Sequence, residues 1–286
     1  WMYKCCCIRE LLPRIYIDIS FLRIFKFVMD DDELEAKILS MSQMISGISH
    51  PLIAFYVSMY FTKIVLTLYP KTKQFMYILL NNLSKFNIND EMIKKFNYEN
   101  MNVMELKKIL DPCVEWIVYC ISKSMVAKDF KNLMKVYDMS KNYYILKGII
   151  IHTPSKYIFS EQYLQYLFAC IELYGNYESA FLCMLVCQKI LITDNPLDSN
   201  YVGTIWQKFK DCKDRNLFID CCTILGEIMI KYYNEDVQDK FFEEVFDIFK
   251  DVFSKTTSFD NQENQHYFSK FEVFLYAKIN VLRLRC

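Results

Sequence analysis

The sequence is poor in residues that interrupt helices. Among 286 residues there are only five glycines and six prolines. A many-stranded sheet needs a turn every few residues, so this scarcity excludes a β-sandwich or barrel and favours long helices. The glycines stand singly, at positions 47, 148, 175, 203 and 226, which excludes a glycine-rich phosphate-binding loop.

An excess of charge of one sign is also lacking. The 34 Lys and Arg residues balance the 34 Asp and Glu residues, for a formal net charge of +0. Phosphate recognition needs a basic face, so we expect no nucleic acid partner. Neither a lipidation motif nor a basic amphipathic helix is evident, and any membrane contact is expected to be indirect.

Long hydrophobic runs are missing as well. No uncharged apolar stretch reaches the roughly 18 residues that a membrane span requires. The richest segment, residues 52–68, is interrupted by Ser58, Thr62 and Lys63. Its apolar residues recur at helical spacing, which predicts a core helix.

Residues that commonly carry chemistry are sparse. The three histidines, His50, His152 and His266, lie far apart, each beside a predicted helix end. The twelve cysteines include no Cys-x-x-Cys pair, and most lie in apolar helical stripes, which is typical of free thiols in a reducing cytosol. No nucleophile-elbow, zinc-protease or calcium-loop pattern occurs. We therefore expect a protein that is not an enzyme, with no cofactor and no metal site.

Helix-breaking residues recur about every 20 residues, which predicts helical hairpins of about 40 residues, the period of HEAT-like arrays. The period alone also allows a compact all-α bundle. Residues 86–103 are the most polar segment, and we expect a loop or disordered insertion there, with a short helix at 91–96. The predicted fold is all-α, a single segment of stacked antiparallel helix pairs over residues 1–286.

One stretch, Arg9–Asp18, combines a proline with a charge in an apolar setting. Pro13 is predicted to separate a helix that ends at Leu12 from one that follows, because proline suits the first helical turn and disfavours helix before it. Arg14 has apolar residues on both sides and needs a partner for its charge. Water, Glu10 or a second protein could each supply that partner.

The run Leu-Leu-Pro-Arg-Ile-Tyr at 11–16, followed by Gly-Ile-x-His-Pro-Leu at 47–52 and by Tyr56 and Tyr60, resembles the large scaffold subunit of the retromer family. The lead-in Trp-x-Tyr-Lys at 1–4 and the Glu-Trp-Ile run at 115–117 are more similar to its paralogue, the vacuolar-sorting 35-like large subunit of retriever. Because the chain starts at Trp1 and those proteins are longer, we expect a piece of a larger protein.

The resemblance implies a HEAT-like α-solenoid that serves as a non-catalytic scaffold of an endosomal sorting complex. It implies a cytoplasmic protein, peripheral on endosomes, that supports recycling of membrane cargo and binds an arrestin-fold subunit and further subunits of the same complex. Carried onto this chain, Arg14 would donate charge-assisted hydrogen bonds, Tyr16 and Ile15 would supply apolar contact or fix the joint, and Pro13 would hold the turn. The expected partner-binding residues are Arg9, Glu10, Leu12, Pro13, Arg14, Ile15 and Tyr16.

Two other interpretations remain open from the sequence. A HEAT- or armadillo-type adaptor of another complex, such as a transport receptor or regulatory subunit, would bind a client on its concave face and give Arg14 no special role. An all-α enzyme with its catalytic residues elsewhere is also allowed, although no residue here favours it.

Overall fold

The computed structural model describes residues 7–86, 89–96, 98 and 102–254. The helices are α1 (Leu11–Val28), α2 (Asp31–Ile45), α3 (Pro51–Leu68), α4 (Gln74–Leu83), α5 (Asp90–Lys95), α6 (Val103–Ser122), α7 (Ala127–Ser140), α8 (Tyr143–His152), α9 (Ser155–Ile158), α10 (Glu161–Ile171), α11 (Asn176–Thr193), α12 (Ser199–Lys210), α13 (Arg215–Tyr232) and α14 (Glu235–Ser254). None of these described residues lies in a strand, and the predicted all-α class is confirmed.

The chain divides into two compact units, residues 1–154 and 155–286. In the first unit, each long helix from α1 to α6 packs against the next long helix, and long helices two apart also pack together. Helices α1, α3, α6 and α8 thereby form one layer, and α2, α4 and α7 form a second. This is the packing of stacked helix pairs in an α-solenoid, in which each pair contacts only its neighbours.

Helix α3 is the central element of the first unit. Pro51 occupies its first turn, where the missing N–H has no helical acceptor to lose. By length and composition α3 could cross a membrane. It packs, however, against α1, α2, α4 and α6 and buries Ala54, Phe55, Val57, Phe61 and Val65. The core helix predicted for residues 52–68 is therefore confirmed.

A half-buried lysine joins three helices of this unit. Lys73 Nζ, just before α4, donates to the carbonyls of Ile121 and Ser124, both at 3.1 Å, and to Asp129 Oδ2 at 2.8 Å. Ile121 lies in the last turn of α6, Ser124 lies in the turn that follows it, and the carboxylate lies in the first turn of α7. Tyr77 on α4 adds a hydrogen bond to Asp129 Oδ1 at 3.2 Å. One cation thus satisfies the end of α6 and pairs with the start of α7.

In the second unit, α11 packs against α12 and α13, and α13 packs against α14. Cys183 and Cys187 on α11, with Cys221 and Cys222 on α13, are buried free thiols. Burial raises the pKa of Cys183 to about 12 and raises that of Cys187 well above its usual value. These thiols therefore stay protonated and pack as small apolar groups.

The start of α1 differs from the prediction. Residues 8–10 are not helical, and α1 begins at Leu11 with Glu10 as its extended N-cap residue. Pro13 is therefore the third residue of a helix rather than the first after a joint. The predicted helix end at Leu12 is wrong, because the first-turn N–H groups have no helical acceptor and a proline there sacrifices no hydrogen bond. Residues 2–6, where the preceding helix was expected, lie outside the described residues.

Pro112 does not stand at a helix start, where proline is best tolerated. It lies inside α6. The N-terminus of α6 is fixed by a reciprocal cap, in which Asn102 Oδ1 accepts from the Glu105 N–H at 2.8 Å and Glu105 Oε2 accepts from the Asn102 N–H at 3.0 Å. Burial of one apolar face of α6 then offsets the roughly 3 kcal/mol cost of an internal proline.

Candidate partner-binding surface

The residues expected to bind a partner lie at the start of α1. Arg9, Glu10 and Pro13 are exposed, and Leu12, Arg14 and Tyr16 are half-buried. The Arg14 backbone N–H donates to the Glu10 carbonyl at 3.3 Å, which closes the first turn of the helix. Ile15 is only 1% exposed and belongs to the core. Ile15 therefore anchors α1 to its own chain, and the other six residues form a surface.

Three tyrosines continue this surface from α1 onto α3. The ring of Tyr16 lies 6.2 Å from that of Tyr60, and the Tyr60 ring stacks on Tyr56 at 6.5 Å. Burial and the two neighbouring tyrosines raise the pKa of Tyr16, so its hydroxyl remains a neutral donor and acceptor. Exposed aromatic rings with polar tips are typical of protein interfaces. We call Tyr16, Tyr56 and Tyr60 the tyrosine cluster.

Tyr56 and Tyr60 were absent from the predicted binding residues. They are four residues apart and so share one face of α3. Tyr56 is 63% exposed, which is unusual for an aromatic side chain on a helix that otherwise forms the core. The spacing of these two tyrosines could have indicated an exposed aromatic surface on α3. Their position beside Tyr16 follows only from the packing of α1 on α3.

The sequence runs at 11–16 and 47–52, about 30 residues apart in the chain, are in contact in the structure. A Cβ added to Gly47 would lie 3.3 Å from Leu11 Cδ2 and 3.2 Å from the Met44 carbonyl oxygen. Glycine therefore allows Leu11, the first residue of α1, to approach the turn that ends α2. The start of α1 is fixed in part by the second motif.

His50 precedes α3 and packs on the polar segment. Its ring meets those of Phe96 at 4.9 Å and Tyr98 at 5.7 Å, and the Tyr98 hydroxyl lies 3.3 Å from both ring nitrogens. The short helix predicted at 91–96 is confirmed as α5. The disordered insertion predicted around it stays a prediction, since residues 87, 88, 97 and 99–101 lie outside the described part.

Asp18 supports α1 from the opposite side. Its side chain is only 10% exposed and pairs with Lys37 on α2 at 3.2 Å, and the Lys37 ammonium lies 5.6 Å from the centre of the Phe25 ring. This acidic residue joins α1 to α2. It therefore contributes to the orientation of α1 rather than to the exposed surface.

Within the described ranges, no group of three or more His, Cys, Asp or Glu side chains could hold a metal ion. On α6, Glu115 pairs with Lys147 at 3.0 Å and lies 3.3 Å from His152 Nε2, both on α8. These contacts join two neighbouring helices of one layer.

The first unit is a stack of helix pairs, and α1 and α3 present an exposed surface of polar and aromatic side chains. These features define a helical-repeat protein suited to binding other proteins. Residues 1–110 match the family model described as VPS35L. The sequence resemblance to the retriever large subunit, a VPS35-like protein, is thereby confirmed.

Curated relatives carry the same description. The chain is 32% identical over 169 residues to the VPS35 endosomal protein sorting factor-like protein of Dictyostelium discoideum, covering 56% of this chain and 17% of the relative. It is 22% identical over 246 residues to that of Homo sapiens, covering 82% and 25% respectively. For Drosophila melanogaster the identity is 26% over 166 residues, covering 55% and 17%. The chain thus spans between 17% and 25% of the length of these relatives.

Proposed function

We propose that this chain is part of a non-catalytic scaffold in a retriever- or retromer-like endosomal sorting complex. The support is the similarity to proteins described as endosomal protein sorting factors, which extends over 82% of the chain for the human relative. A stack of helix pairs also suits a scaffold, because it presents extended surfaces without requiring a catalytic pocket.

We further propose that the start of α1 and the tyrosine cluster bind an arrestin-fold subunit of the same complex. The observation that carries this proposal is the continuity of Pro13, Arg14 and Tyr16 with Tyr56 and Tyr60. Arginine and tyrosine are enriched at the residues that dominate binding energy. Arg14 supplies charge-assisted hydrogen bonds to the partner, and the tyrosines supply apolar contact with polar tips.

The same proposal places the protein in the cytoplasm, peripheral on endosomes, where it supports the recycling of membrane cargo. Further subunits of the complex bring it to the membrane, because the balanced net charge gives it little attraction of its own for anionic lipid.

A pull-down with the purified arrestin-fold subunit tests the partner. The wild-type chain is expected to bind, and Arg14→Asp is expected to reduce binding at least about tenfold, since it replaces a central cation with an anion. Arg23→Asp is the matched control, because Arg23 is an exposed arginine further along α1 and the charge change is identical. Circular dichroism should show the same helix content in all three proteins.

The controls separate the possible failures. Equal loss of binding by Arg14→Asp and Arg23→Asp would indicate a general charge effect and contradict a special role for Arg14. Failure of the folded wild-type chain to bind would contradict the arrestin-fold partner and favour an adaptor that binds a client elsewhere on the helix stack.

A further inference from the structure

A cavity with a basic rim lies in the second unit, where α12 ends and α13 begins. Its volume is about 420 Å³, within the range of sites that take small ligands or side chains. The lining residues are Lys210, Cys212, Lys213, Arg215, Phe218 and Ile248. Three cations therefore surround a floor of three apolar side chains.

The cations of the rim are weakly neutralised by the part of the chain that the structure describes. Within the described residues, no carboxylate lies within 4.0 Å of the Lys213 ammonium or the Arg215 guanidinium, and both residues are exposed. Lys210 has one partner, Glu244, at a long 3.7 Å and on the surface. Such an exposed pair contributes little and is readily exchanged for another anion.

The acidic residues of the same turn are engaged in local hydrogen bonds. Asp214 Oδ1 accepts from the Leu217 N–H at 2.8 Å and caps α13. Asp211 Oδ1 accepts from Gln207 Nε2 at 3.1 Å. These carboxylates lower the net charge of the turn, but neither lines the cavity. The cavity itself therefore presents positive charge.

The floor is a fixed apolar surface. Phe218 and Cys212 are each only 9% exposed, so most of their surface is packed in the core. The Phe218 ring lies 6.3 Å from that of Trp206, which in turn meets Phe241 at 5.0 Å. An inorganic anion alone would leave this floor in contact with water, whereas an apolar side chain would cover it.

We propose that this cavity binds an acidic peptide segment of a partner protein, with one apolar side chain inserted against Phe218 and flanking carboxylates paired with Lys213 and Arg215. The charge of the rim selects the carboxylates, and the floor selects the anchor. The proposal does not depend on the arrestin-fold subunit, since the described residues that line the cavity lie on α12, α13, α14 and the turn between α12 and α13.

Fluorescence anisotropy with a labelled Asp-Glu-Phe-Glu-Asp peptide tests the site in the 286-residue chain. Saturable binding is expected, and the double variant Lys213→Glu with Arg215→Glu should weaken it about tenfold or more, with less difference at high salt. Lys128→Glu with Lys131→Glu is the control: both lysines are exposed on α7, the net charge change is the same, and affinity should stay within about twofold. Circular dichroism establishes that both variants are folded.

Two further peptides separate the contribution of the apolar anchor from that of the acidic residues. Replacing the Phe of the peptide by Ala, or its acidic residues by Asn and Gln, should each weaken binding about tenfold. Several results would overturn the proposal: no binding by the wild-type chain, equal loss in both charge-reversed variants, or equal affinity for the neutral peptide. Preferential binding to phosphatidylserine-containing vesicles over the peptide would also overturn it and assign the rim to lipid.

Discussion

The two units of the chain join their helices by different means. In the first, ion pairs between helices are partly buried: the side chains of Lys73 and Asp129 are 16% and 15% exposed. In the second, the described ion pairs lie on the surface, as with Lys231 and Asp194 at 46% and 71%. Charges therefore contribute to the interior of the first unit and mainly to the surface of the second.

The interior of the second unit depends on thiols and aromatic rings instead. Phe241 packs on Phe242 at 5.4 Å and on Trp206 at 5.0 Å, and Phe209 is fully buried. Apolar packing carries no desolvation penalty, whereas a buried ion pair must recover the cost of removing two charges from water. We therefore expect the first unit to respond to pH and to loss of a charge, and the second to respond to loss of volume.

The largest expected effect is in the second unit. Phe209→Ala should lower the free energy of unfolding by about 4 kcal/mol, because it removes a fully buried ring and leaves a cavity. Hydrogen exchange measured by mass spectrometry should increase in α11, α12 and α13. Phe209→Leu is the control and should cost less than about 1.5 kcal/mol. A loss that varies with pH between 5 and 8 would contradict the assignment to packing.

The next effect is in the first unit. Lys73→Met should cost about 3 kcal/mol at pH 7, because it leaves the Asp129 carboxylate and the carbonyls of Ile121 and Ser124 without their cation. Hydrogen exchange should increase in α4 and α7. Lys141→Met removes a lysine paired with Asp138 on the surface, at 45% and 47% exposure, and should leave stability unchanged within error.

The pH dependence of that variant distinguishes a charge effect from a packing effect. Burial opposes ionisation of Asp129, but hydrogen bonds from Lys73, from the Val126 N–H and from Tyr77 outweigh it and lower its pKa. A lowered carboxyl pKa stabilises the fold above the unfolded value of about 4, and this stabilisation is lost as pH falls through the folded value. The difference between wild type and Lys73→Met should therefore shrink below about pH 4. An undiminished difference there would indicate packing.

Local signals predicted most of the helices. Aspartate is a preferred N-cap residue, and the Asp30 side chain caps α2 by accepting from the Glu33 N–H at 2.8 Å. Proline favours the first helical turn, and Pro51 opens α3. These outcomes depend on residues adjacent in sequence. The position of Pro112 inside α6 has no such local signal, because the gain that offsets the proline, burial of α6 against α3, α4, α7 and α8, comes from distant parts of the chain.

The candidate surface was predictable only in part. The resemblance identified the start of α1, and the structure places Pro13 and Tyr16 on that surface. Whether Arg14 contacts a partner stays a prediction. The packing of α1 on α3 adds Tyr56 and Tyr60 to the surface and buries Ile15. Neither the spacing of residues within a helix nor helix propensity predicts that contact.

The smallest expected effect is a gain in stability, whereas most substitutions cause a loss. Desolvation raises the pKa of Asp111 on α6 to about 6, although Tyr144, Lys147 and Lys107 lower it in part. Within the described part of the chain, its Oδ1 is buried without a hydrogen-bond partner. Between about pH 4 and pH 6 the folded chain binds more protons than the unfolded one, so stability falls as pH rises through this window. At neutral pH the ionised Asp111 carboxylate therefore destabilises the folded state.

Asp111→Asn should accordingly stabilise the first unit by about 1–2 kcal/mol at pH 7.5, after allowance for partial exposure of the group. The gain should diminish below pH 6 and disappear below about pH 4, where both states of the wild type are protonated. Glu115→Gln, one turn along α6, should instead destabilise, because Glu115 is paired with Lys147 and His152. Denaturant titrations at pH 4 and pH 7.5 compare the two. An equal gain for Asp111→Asn at both pH values would show that its benefit comes from shape or hydrogen bonding, and the first unit would then resemble the second in its insensitivity to charge.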